Sequence, residues 1–176
     1  MLTKQIAACC KVLKLGHRLA ENSERMEANT HQEYLLKLLQ LEIEEREAAR
    51  KDRLLRSAGF YTLKTFADYV FDEVKIPPDL TPDDLKSCRF LEEKRNLVLY
   101  GNVGTGKIHL ATAIGVEACK QGKRVGFYRT AALVNQLAEA KKGGELSSLL
   151  KQLSKLDLLI CDEWGYVPLE REGAQL

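Results

Sequence analysis

Seven residues, Gly101-Asn-Val-Gly-Thr-Gly-Lys107, constrain this chain more than any other feature. The spacing is G-x-x-x-x-G-K, set between a short apolar run, Leu97–Tyr100, and a helical pattern from about Ile108 to Lys120 that Gly122 closes. A glycine-rich loop between a strand and a helix turns backbone amides and a helix N-terminus toward one point, which suits phosphate oxygens. Gly101, Gly104 and Gly106 permit backbone angles and a close approach that side chains would block. Asn102, Val103 and Thr105 lend amides, and Lys107 brings a mobile positive charge to the outer phosphates. Ile108 and His109 form the first helical turn beneath them.

Downstream the pattern alternates. Val125–Tyr128 reads as a strand, Thr130 as the cap of a helix carrying Leu133, Val134 and Leu137, and Gly143–Gly144 as its break. A short helix follows, and then LDLLICDE, a buried strand ending in Asp162 and Glu163. Alternating strands and helices predict a parallel sheet covered on both faces. A carboxylate at such a strand end suits Mg²⁺, and its neighbour suits polarisation of an attacking water, so Asp162 is the metal candidate and Glu163 the catalytic one, with Lys107. Asp157, at the opposite end of that strand, reads as structural. One position breaks the pattern. Ile108 stands where a Ser or Thr hydroxyl would ligate Mg²⁺, and a methyl group cannot replace an oxygen in octahedral coordination. The expectation is weakened nucleotide binding through Lys107 and the loop amides, with severely reduced hydrolysis.

The front of the chain is of another kind. Residues 3–20 place Ile6, Cys9, Cys10, Leu13 and Ala20 at helical intervals, with Val12, Leu15 and Leu19 as a second set. Thr30 and Glu33 form a capping-box start, and Glu42–Arg46 and Glu47–Lys51 at i,i+4 favour a long exposed helix to about Arg56, ended by Gly59. Residues 1–58 therefore read as a small helical domain, 59–96 as a connector and 97–176 as the nucleotide-binding core. Within the connector, Phe66, Tyr69 and Phe71 read as glue to the core, the alternative being a lid over a nucleotide base. Thr81-Pro82 starts a short helix. Arg46, Arg50 and Arg53, with Arg56 near the helix end, make a basic stripe suited to DNA phosphates, and Lys4, Lys11, Lys14 and Arg18 a second cluster. Both also read as solvated faces interleaved with acids. No base-reading motif accompanies them, so DNA contact would be sequence-independent and salt-sensitive.

Charge is nearly balanced, 27 Lys plus Arg against 25 Asp plus Glu, which argues against a purely electrostatic nucleic-acid coat protein. No apolar run approaches membrane-spanning length, and MLTKQIAACCKVLK, lacking a continuous apolar stretch, is not expected to act as a signal peptide. The five cysteines lack metal spacing and read as reduced thiols in a cytoplasmic protein.

GNVGTGKIHLATAIGVEACKQGKRVGFYRTAALVNQL and LDLLICDEWGYVPLEREGAQL closely resemble the IstB-like ATP-binding transposition helpers, within the AAA+ group of P-loop ATPases. The resemblance extends through EYLLKLLQLEIEEREAARKDRLLRSAGF and LKTF to the front of the chain. It implies an α/β P-loop core behind a small all-helical domain, with ATP and Mg²⁺ as cofactors. It also implies target-DNA binding, self-assembly on DNA and a transposase partner. Ile108 replaces the family's Thr, Trp164 a Leu, read as a packing change, and the family continues past Leu176 with two more core strands. The family's sheet order, fifth, first, fourth, third, second, places both of those strands beside Leu97–Tyr100, so the core is expected to be incomplete and marginally stable. Three readings stay open: a transposition helper, a non-enzymatic truncated remnant acting through DNA or protein contacts, and a helicase loader. The front sequence and GYVPLEREGA count against the last.

Overall fold

The computed structural model describes residues 2–72 and 74–164, so the expectation attached to GYVPLEREGAQL lies outside the described residues. The chain divides into two compact units, Met1–Asp52 and Arg53–Leu176.

The first unit is helical. Residues 3–20 do not form the continuous pattern their periodicity suggests: α1 (Leu2–Val12) ends, and α2 (Arg18–Arg25) begins after a turn through Lys14, at φ 54°, and Gly16. A distant carboxylate explains the break. Both oxygens of Glu42, on α3 (His31–Ser57), accept the Gly16 N–H, at 2.8 and 2.9 Å. A Cβ at position 16 would lie 2.6 Å from Glu42 Oε2, so any larger residue would require that carboxylate to shift. α3 starts as its sequence suggests, with the Glu33 N–H donating to Thr30 Oγ1 at 3.1 Å. The Glu33 carboxylate reaches one residue further, accepting the Asn29 N–H at 2.9 Å. Of the two expected i,i+4 pairs, Glu42–Arg46 forms at 2.6 Å and Glu47–Lys51 does not.

In the second unit, β1 (Val125–Arg129) and β2 (Leu158–Asp162) pair in parallel, in register from Val125↔Leu158 to Arg129↔Asp162. α6 (Lys107–Lys120) packs on both strands, α7 (Thr130–Lys142) on β1, and α8 (Leu146–Leu153) on α7. Gly115 lets α6 approach so closely that an added Cβ would lie 2.8 Å from the Phe60 ring and 2.9 Å from Ile160 Cδ1. α4 (Pro82–Lys86) carries the Thr81–Asp84 capping box and packs, with α5 (Arg89–Glu92), against the α6 side of the core. The core joins Leu85, Phe90, Leu110, Ile114, Cys119 and Val125. Phe66, Tyr69 and Phe71 pack against it, as glue would. Asp157 is structural: it accepts the Arg124 N–H at 2.7 Å where β2 begins.

Leu97–Tyr100 corrects the sequence expectation. The run is extended, and Leu97 and Leu99 face the core while Val98 and Tyr100 are 83% and 90% exposed. No backbone hydrogen bond joins it to another segment among the described residues, so it is not a strand. Alternation puts every second side chain inward, but a strand also needs a ladder partner, and no described segment supplies one.

Candidate nucleotide-phosphate site

The loop between Leu97–Tyr100 and α6 bends at its glycines. Gly101, Gly104 and Gly106 take φ values of 150°, 84° and 81°, in the region that disfavours a Cβ. Gly106 is the N-cap of α6, and a Cβ there would lie 3.3 Å from the Tyr69 ring. Lys107 folds back over the loop. Its ammonium donates to the Gly101 carbonyl at 2.8 Å and the Asn102 carbonyl at 2.6 Å, and lies 3.5 Å from Thr105 Oγ1. Thr105 Oγ1 itself donates to the Asn102 carbonyl at 2.9 Å. The loop is open to solvent, with Asn102, Val103 and Thr105 exposed. A half-buried cation above an open glycine loop at a helix N-terminus fits a di- or triphosphate.

The connector braces this loop. His109 Nε2 lies 3.0 Å from the Thr65 carbonyl, which accepts the Nε2–H, and the His109 ring meets Tyr69 edge-on at 5.1 Å. Burial pushes the Tyr69 phenol above its ordinary value, so it stays neutral. The aromatic spacing of KTFADYVF marks Tyr69 as a packing residue, but nothing in it points to His109.

Ile108, 52% exposed, lines a cavity of about 240 Å³ with Tyr61, Thr62, Lys64, Thr112 and Phe127. Arg129, at the end of β1, holds its guanidinium 4.9 Å from the Tyr61 ring centre. Across the ladder from Arg129 stands Asp162, whose Oδ1 accepts the Glu163 N–H at 2.8 Å. Glu163 is left-handed, at φ 59°. Trp164, expected to pack, is 72% exposed. Thr130 departs from the sequence reading as well. It is the first residue of α7 and makes no cap, because Arg129 is the N-cap and the Thr130 hydroxyl donates to the Asp162 carbonyl at 2.7 Å. No sequence signal marks that bond, which spans 32 positions.

Toward a divalent metal, Ile108 offers no oxygen, and Asp162 Oδ1 already accepts a backbone amide.

The arginine stripe divides. Arg46 is engaged within the first unit: its Nε donates to Glu42 Oε1 at 2.6 Å, and its Nη2 donates to the Lys14 carbonyl. Burial pushes the Glu42 carboxyl up, but the Gly16 amide and the Arg46 guanidinium outweigh it, and the value falls below the ordinary one. Arg50, Arg53 and Arg56 are exposed on α3. No helix among the described residues is long and apolar enough to cross a membrane.

Residues 8–176 match the family described as IstB-like ATP binding protein. Over 147 residues the chain is 36% identical to a protein of Bacillus thuringiensis subsp. berliner named as the ATP-binding protein of insertion sequence IS232, covering 82% of this chain and 58% of that one. Its counterpart named for IS21 in Pseudomonas aeruginosa is 35% identical, over 90% of this chain and 59% of the relative. One named for IS5376 in Geobacillus stearothermophilus is 33% identical, over 84% and 60%. The chain thus spans about three-fifths of the length of these relatives.

Proposed function

Because this chain belongs to the IstB-like ATP-binding protein family, found with insertion sequences, we propose that it is a nucleotide-gripping helper of transposition whose hydrolysis is crippled. The observation that carries this reading is the loop itself: three glycines at positive φ around a lysine already drawn over the loop carbonyls. Gly101 to Gly106 would offer backbone amides to the β- and γ-phosphates of ATP, with Lys107 supplying charge and His109 bracing the first turn of α6. Binding would rest on these groups and not on metal, since Ile108 leaves the Mg²⁺ shell one protein oxygen short. Glu163 would face the water side of the outer phosphate from the end of β2, with Asp162 beside it.

Target DNA and a transposase are the proposed partners. Arg53 and Arg56 would contact phosphates without reading bases, whereas Arg46 is held by Glu42 and contributes little. Assembly into multimers belongs to the same proposal. A non-enzymatic role through DNA or protein contacts is the second reading, favoured by Ile108 alone.

The test is fluorescent-ATP binding and ATP turnover by the chain and its Ile108→Thr variant, each with Mg²⁺ and with a chelator. The expected result is binding by both in chelator, and Mg²⁺-dependent turnover only in the variant. Equal, substantial turnover by both would refute the crippled-hydrolysis reading, and absence of binding by both would refute the nucleotide site.

A further inference from the structure

We propose that the Thr130 hydroxyl is the positioning element for the acidic end of β2, holding the turn where Asp162 gives way to Glu163. Its functional meaning rests on the reading of those two carboxylates as the groups facing a bound nucleotide.

The ladder between β1 and β2 ends at the pair Arg129↔Asp162. Beyond it β1 has become α7. Thr130, 4% exposed, stands at that junction, and its hydroxyl donates to the Asp162 carbonyl at 2.7 Å. This is why it caps nothing: the hydroxyl that suits a helix N-terminus is spent on the neighbouring strand.

The turn after Asp162 needs such an anchor. Glu163 carries a Cβ and still adopts φ 59°, a conformation that persists only where neighbouring contacts impose it. Two contacts flank it. One is the Thr130 bond to the preceding carbonyl, and the other is the Glu163 N–H donating to Asp162 Oδ1 at 2.8 Å. Together they fix the peptide plane between the two acids, and hence the direction in which each carboxylate leaves the strand. Thr130 touches no reacting atom; it acts through the backbone.

Valine fills the same space without a donor, and serine keeps the donor without the methyl group. The experiment is residue-resolved amide exchange on the full chain, on Thr130→Val and on Thr130→Ser. Thr130→Val is expected to speed exchange at Glu163 about fivefold, while Phe127 and Ile160 stay as in the parent, and Thr130→Ser is expected to restore Glu163. The same variants in an Ile108→Thr background supply the functional arm, with Thr130→Val lowering turnover at least about threefold at an unchanged KM. Unchanged exchange at Glu163 in Thr130→Val would overturn the proposal. So would a uniform rise across β1 and β2, which would make Thr130 a packing residue only. If no variant binds ATP, the reading of the acidic pair fails separately, and exchange at Glu163 still decides what Thr130 holds.

Discussion

Replacing Lys107 by methionine should weaken ATP binding measured in chelator by about 10- to 150-fold. The magnitude comes from the geometry of the ammonium. Two of its donors are committed to the Gly101 and Asn102 carbonyls, at 2.8 and 2.6 Å, while the third reaches only a 3.5 Å contact with Thr105 Oγ1. That weakly engaged donor is the one free to turn to an incoming phosphate. A charge-assisted hydrogen bond contributes about 1.5–3 kcal/mol, and each 1.4 kcal/mol is about tenfold in affinity. Methionine matches the length of the lysine stem and leaves the glycine loop its amides, so residual binding should persist. Lys107→Arg serves as a control, since it keeps the charge but not the compact ammonium that the Gly101 and Asn102 carbonyls hold. The assay is titration of a fluorescent ATP analogue, with inorganic triphosphate as competitor and circular dichroism to show that each variant is folded. A folded Lys107→Met chain whose Kd stays within about twofold of the parent's would refute the argument that this lysine is the principal cation of the site.

Three further outcomes are expected. Glu42→Gln should destabilise the chain by about 1.5–3 kcal/mol at pH 7, measured by urea unfolding, because it discharges a carboxylate that serves both Gly16 and Arg46. Glu42 is lowered in the folded state, so its contribution is complete above the ordinary carboxylate value and is lost as pH falls through the lower folded one. The parent's acid destabilisation should therefore flatten in the variant, and equal pH profiles would contradict this account. Gly115→Ala should lower the melting temperature despite alanine's better helix propensity, because overpacking against Phe60 and Ile160 costs about 1–3 kcal/mol while the propensity gain is about 1; a rise would show that α6 can shift away. Arg53→Ala with Arg56→Ala should reduce the salt slope of duplex-DNA binding by about 2, whereas Arg46→Ala should act mainly on stability; an unchanged slope in the double variant would remove these two arginines from the interface.

Local chemistry made the phosphate loop, the capped start of α3, the Thr81-Pro82 helix start and the acidic end of β2 readable from the residues alone. In each case the groups that interact, or the backbone angles that glycine permits, lie within a few positions of one another, and composition there leaves few alternatives. Tertiary structure decided the rest. Periodicity could not foresee the break at Gly16, because its cause is a carboxylate 26 positions away. Alternation sent Leu97 and Leu99 inward, but whether that run becomes a strand depends on a neighbour's backbone and not on its own side chains. Thr130 carries the same lesson. A threonine at a helix start satisfies a cap and a cross-strand bond equally well on paper, and only the arrival of Asp162 beside it, 32 residues later in the chain, determines which acceptor its hydroxyl meets.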